Sequence, residues 1–174
     1  MAPPYTFHVG SVKVAHNLLQ TLANILHKAE EHPNAASFLD ARLIEDMYTL
    51  CDQIRLSVQY LEHIVARVTN REPITYEKPT SFAQSYEFIN QVVTAAAQAD
   101  PEAVNQQADV VKSSFLGKME ADMSTADYVH MALLPNVYFH VTTAYGILRK
   151  EGVKLEKWDF YSGFAADLKP VPRA

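Results

Sequence analysis

Residues 128–153 read YVHMALLPNVYFHVTTAYGILRKEGV. Apolar residues dominate and recur at the three- and four-residue steps of a helix. End signals bracket the stretch. Ser124 and Asp127 form a capping pair ahead of it, Gly152 takes the C′ place, and Arg149 and Lys150 suit the negative end of a helix dipole. This predicts a helix from Ser124 to near Glu151. Pro135 removes one backbone hydrogen bond and predicts a kink. The same apolar helix nevertheless carries His130, Asn136 and His140.

Working outward, apolar steps predict three more helices. The first runs from about Tyr5 to Glu31, with Val9, Val12, Leu19, Leu22, Ile25 and Leu26 on one face. It ends at Pro33. After a short turn around Ser37 to Ala41, the steps Leu43, Met47, Leu50, Ile54, Val58, Leu61, Val65 and Val68 predict a second helix reaching Thr69. NREPITYEKPT then reads as a loop. Ser81 and Gln84 form a capping box for a third helix to about Ala99, with Phe82, Tyr86, Ile89 and Val93 inward. ADVVKSSFLGKMEADMS has strand character, and Gly117 suggests a small hairpin or extended loop. The tail KLEKWDFYSGF is expected to fold back, with Trp158, Phe160, Tyr161 and Phe164 on the bundle end, and LKPVPRA reads as frayed. The expectation is one all-α domain over residues 1–174, a four-helix bundle.

Composition bounds what such a bundle does. The 174 residues carry a net charge of -5, 48% apolar and 20% charged residues. No basic cluster is present to meet phosphates, which argues against a nucleic-acid or anionic-membrane partner. The apolar runs fall short of the roughly 20 residues that span a bilayer. MAPPYTF lacks the basic start and apolar run of a signal peptide. The lone cysteine, Cys51, cannot form an internal disulfide and suits a reducing compartment. A cytoplasmic protein is expected.

Chemistry is sought where polar residues interrupt apolar faces. At about 100° per residue, Asn136 and His140 fall at the centre of the fourth helix's apolar arc, whereas His130 lies about 80° away from His140. Buried polar groups need partners. Asp46, Gln53 and Ser57 flank the apolar arc of the second helix, and His8 and His16 lie in or beside that of the first. Together His8, His16, Asp46, Gln53, Asn136 and His140 form a candidate inward-facing set. The bland alternative is a His–Asn or His–Asp contact that fixes helix register. No two histidines share an i, i+4 pair, so no metal is called for by spacing. Cys51 reads as an inert buried thiol, and His27, His32 and His63 as solvated.

The stretch LPNVYFHVTTAYGILRKEGVKLEKWDF closely resembles the signature of an uncharacterised bundle family, catalogued as a domain of unknown function, in the DinB/YfiT-like superfamily. LDARLIEDMYTLCDQI resembles its second hallmark. The resemblance implies an up-down-down-up bundle, often dimeric. In the wider superfamily many members hold a divalent metal through three histidines, one on the second helix and two on the fourth. His140 matches the last of these, Asn136 stands where its predecessor would be, and the second helix offers Asp46 or Gln53. Two of three ligand positions therefore differ.

Three functions compete at this level. The first is a small-molecule pocket lined by Asp46, Gln53, Asn136 and His140, with His140 as acid/base and Asp46 as its charge partner. The second is a non-catalytic homodimeric interaction protein, suggested by the unusually wide apolar arc of the fourth helix. The third is a degenerate metal-dependent hydrolase or transferase using Asp46, His140 and His16 or His8.

Overall fold

The apolar steps of the sequence become four long helices joined by short elements. The computed structural model describes residues 5–165. In chain order it contains α1 (Val14–Glu30), α2 (Leu50–Val68), α3 (Phe82–Ala97), α4 (Pro101–Gln106), β1 (Val111–Leu116), β2 (Met119–Ser124), α5 (Thr125–Asp127), α6 (Leu134–Lys150) and α7 (Lys157–Tyr161). The protein is thus mainly helical with one small antiparallel hairpin, where Leu116 pairs with Met119 across a turn that needs the positive φ of Gly117. No helix among the described residues is long and apolar enough to cross a membrane. LKPVPRA lies outside the described residues.

α2 packs on α6 and α3, while α1 packs on α3, α6 and α7. Leu18, Leu22, Ile25, Ile54, Leu61, Ile64, Val141 and Ile147 are among the fully buried side chains where they meet. Each contributes about 1.5–3 kcal/mol of transfer free energy. Ser81 caps α3 by accepting from the Gln84 amide (3.1 Å). The Gln84 side chain reaches one residue further back than a capping box requires, to the Thr80 amide (2.7 Å).

The second helix begins later than its apolar steps suggest. Residues 41–49 form a turn, exposed over residues 42–46, that closes when the Leu50 amide donates to the Ala41 carbonyl (2.8 Å). Thr49 is extended (φ -72°, ψ 168°) and its hydroxyl donates to Asp52 (2.8 Å), so the chain enters the helix there. Leu43, Met47 and Asp46 are therefore off α2, and Leu43 instead lies against Gly146 of α6. The fourth helix does start at Ser124, whose hydroxyl accepts from the Asp127 amide (3.0 Å). A π-helical turn over Tyr128–Leu133 stands immediately before α6, and Pro135 falls in the first turn of α6, where its missing N–H costs least. A second π turn, Val9–Lys13, precedes α1.

After α2 the chain runs back along it as an extended strap. Arg71 and the Ile74 amide bind Glu62, the Tyr76 amide and Ile74 carbonyl bind Gln59, and Lys78 pairs with Asp52. At the far end, Tyr86 near the start of α3 donates to Glu30 at the end of α1 (3.0 Å).

The tail folds back on α1, but its aromatics divide. Phe160 and Phe164 pack against the core, whereas Trp158 is 68% exposed and does not cover the bundle. Thr21 donates to the Phe160 carbonyl (2.8 Å) and accepts from the Gly163 amide (3.3 Å). A Cβ at Gly163 would run into the Asn17 carbonyl oxygen and approach the Thr21 amide to 2.8 Å. Gly163→Ala is expected to lift the tail from α1 and cost about 2 kcal/mol, the range of overpacking against rigid backbone. Urea melts check the loss. An unchanged midpoint would mean that the tail docks without this contact.

Candidate functional site

His140 on α6 faces the first turn of α2, where the Thr49 cap sets the position of Gln53. Both side chains are buried. His140 Nδ1 lies 2.7 Å from Gln53 Oε1, and Gln53 Nε2 donates to the Tyr48 carbonyl (3.3 Å). An amide oxygen only accepts, so this network assigns the proton to Nδ1 and leaves Nε2 with a free lone pair. Among the described residues Nε2 has no hydrogen-bond partner, and it keeps access to solvent.

Burial first, and the nearby Arg55 charge second, hold the imidazole neutral, together taking it from 6.5 down to about 4. The ring is offset-stacked on Tyr60, with centroids 5.8 Å apart and planes 8° apart, and Phe139 meets it edge-on at 5.3 Å. Ile44, Tyr48 and Phe139 are exposed large apolar side chains on the flanking turn and helix. The result is a fixed neutral acceptor, opening to solvent beside a cation and aromatic surface. A base held near 4 is almost fully deprotonated at pH 7 but has little driving force to take a proton.

The other expected site residues scatter. Asp46 lies exposed in the 41–49 turn and makes no contact with His140, so the acid/base dyad expected of these two is not assembled. The helical wheel misplaces it because that wheel extends past the Thr49 cap. Asn136 is half-buried and turns back to donate to its own helix at the Ala132 carbonyl (2.8 Å), not to His140. His8 offers its backbone amide to Asn105 (2.8 Å), and the His16 ring sits beside Asn17 (3.5 Å). His130 is exposed, touching Phe7 edge-on. Tyr60 and Arg55 do not stand out in the sequence, although Tyr60 lies seven residues after Gln53 and hence on the same face of α2.

A divalent metal finds too few donors. Among the described residues no three of His, Cys, Asp and Glu converge. At His140 the neighbours are an amide, a phenol and a guanidinium, so the residues present do not fit the ion. Three cavities, of about 610, 460 and 310 Å³, lie elsewhere and are not lined by His140.

No curated protein matches the chain. The crystal structure of a DinB family member protein from Shewanella denitrificans superposes with a TM-score of 0.78 at 25% identity, over 96% of this chain and 94% of that one. Residues 7–161 match the family described as a domain of unknown function, DUF1993, and with so much of its length matched the chain belongs to that family.

Proposed function

We propose that this DinB-like bundle binds a small organic molecule at the α2–α6 seam, where His140 Nε2 accepts a hydrogen bond from a ligand hydroxyl or N–H. The observation that carries the reading is a buried imidazole held through one nitrogen by Gln53, while the other is unpartnered and reaches solvent. A neutral imidazole nitrogen left open to solvent on an otherwise buried ring can exchange its water for a ligand donor, which favours a recognition site there. Arg55 disfavours cationic ligands, and Phe139 and Tyr48 offer apolar surface for the ligand body. The low basicity of His140 favours recognition over acid/base catalysis, with no role for Asp46. This reading takes residues 1–174 as one cytoplasmic domain. It takes the helices as up-down-down-up, an order supported by the strap returning along α2 and by the Tyr86–Glu30 and Arg67–Thr125 pairings at opposite ends.

The test is a fragment screen by NMR on protein labelled at the histidine side chains. Fragments with donors should move the His140 Nε2 resonance. His140→Ala should lose those hits while keeping a cooperative melt. Hits that leave the His140 signals of the parent unmoved, or that persist in a well-folded His140→Ala, would sink the reading.

A second reading is favoured by the same exposed Ile44, Tyr48 and Phe139: the seam face is where two copies meet. Sedimentation at micromolar concentration should then give a dimer that Phe139→Glu dissociates. A monomeric parent would rule it out.

A further inference from the structure

The largest of the three cavities, about 610 Å³, lies between the C-terminal end of α2 and the β1–β2 hairpin. That volume suits a drug-sized organic ligand. Its walls bring together Arg67, Arg71 and Lys112 against one lining carboxylate, Glu72, in a chain whose net charge is -5. The charge of Arg71 is already answered by the buried Glu62. Among the described residues, those of Arg67 and Lys112 are not.

Arg67 is half-buried, and each of its acceptors is neutral. Nε donates to Thr125 Oγ1 (3.3 Å), and Nη2 to Ser114 Oγ (3.1 Å) and to the carbonyls of Met123 (3.3 Å) and Lys112 (3.4 Å). Among the described residues Nη1 has only the Ser113 carbonyl at 3.5 Å, which leaves donor capacity on a side chain that lines the cavity. The guanidinium also lies 5.2 Å over the Tyr128 ring. Lys112 Nζ is held by the Asn70 side-chain oxygen (2.6 Å), again a neutral partner. Two cations are thus fixed in place without a counter-charge, and an anion entering between them need not order them. Burial lowers the pKa of Arg67, the mark of a charge short of solvent. The Phe115 ring, 60% exposed, forms an apolar flank.

We propose that this cleft binds a small organic phosphate monoester, its oxyanion between Arg67 and Lys112 and its organic part against Phe115. The site is independent of the His140 seam. The competing account is that Arg67 serves only to tie the hairpin to α2, with no ligand between them.

Titrating phenyl phosphate into the ¹⁵N-labelled full chain at low salt tests the proposal. The Arg67 Nε–H and the Ser113 to Phe115 amides should shift and saturate with a Kd of about 1 mM or tighter. Lys112→Gln should weaken binding about fivefold, and raising the salt should weaken it further. Arg67→Met should abolish it, but that variant also loses the hairpin clamp, so Lys112→Gln is the decisive substitution. No saturable shift, or an unchanged Kd in Lys112→Gln, would overturn the proposal. Benzoate binding as tightly as phenyl phosphate would overturn the phosphate assignment. Inorganic phosphate binding as tightly would overturn the role of Phe115.

Discussion

Lowering the pH from about 6.5 to about 4 is expected to remove about 3 kcal/mol of folding stability through His140 alone. The folded ring is held at about 4 by burial and by Arg55, against the ordinary 6.5 of the unfolded chain. Between those values the unfolded state binds the proton and the folded state does not. Stability therefore rises with pH across that window, is fully present above about 6.5, and is lost as pH falls toward 4. His63, also lowered by burial, adds to the same slope, so it must be controlled with His63→Gln. Asp52, which Lys78 and Thr49 hold below the usual carboxylate range despite its burial, keeps its stabilising contribution across that window and loses it only at lower pH. Urea melts at steps from pH 7 to 4.5 read the effect. His140→Leu should be less stable at pH 7 by about 1–2 kcal/mol, because Gln53 Oε1 loses its donor, yet should show a flatter slope. Equal slopes in parent and variant would mean that the ring does not sit buried and neutral on Gln53.

The pairing of His140 with Gln53 is half legible in the sequence. The apolar wheel of the fourth helix puts His140 at its centre, and the buried arc from Val137 to Leu148 follows it, because periodicity within one unbroken α-helix is preserved in three dimensions. Asp46 misleads for the opposite reason. Leu43 and Met47 continue the spacing of α2 by coincidence, and they mask the true start signal, Thr49 followed three residues on by Asp52. The π turn before Pro135 leaves no mark in residue spacing. Arg67 and Lys112 lie 45 residues apart and meet only because the hairpin folds over the end of α2. Such long-range neighbours follow from topology, which the resemblance supplies only in outline. The strap is likewise invisible to periodicity: NREPITYEKPT reads as an ordinary Pro-bearing loop, yet it holds the partner of the most buried acid on α2.

That partner sets the largest expected effect of a single substitution. Glu62 is 1% exposed, and its carboxylate is held by Arg71 at 2.5 and 2.9 Å and by the Ile74 amide at 2.8 Å. Two of the three bonds come from one charged fork, so Arg71 supplies both the counter-charge and most of the hydrogen bonding. Arg71→Met is expected to cost about 3–5 kcal/mol, since it strands a buried carboxylate on one backbone donor. The reverse change is milder. Arg71 is about a third exposed and turns to water when Glu62 is replaced, so Glu62→Leu should cost about 1–3 kcal/mol, chiefly for the orphaned Ile74 amide. The double variant, Glu62→Leu with Arg71→Met, should then be more stable than Arg71→Met alone, because it removes the stranded charge. Hydrogen exchange gives the matching local readout. The Ile74 and Tyr76 amides, bonded to Glu62 and Gln59, should lose protection in the single Arg71 variant before the core of α1 does. A loss below about 1 kcal/mol, or a double variant no better than the single, would show that Glu62 finds another counter-charge and that the strap is held by its apolar contacts.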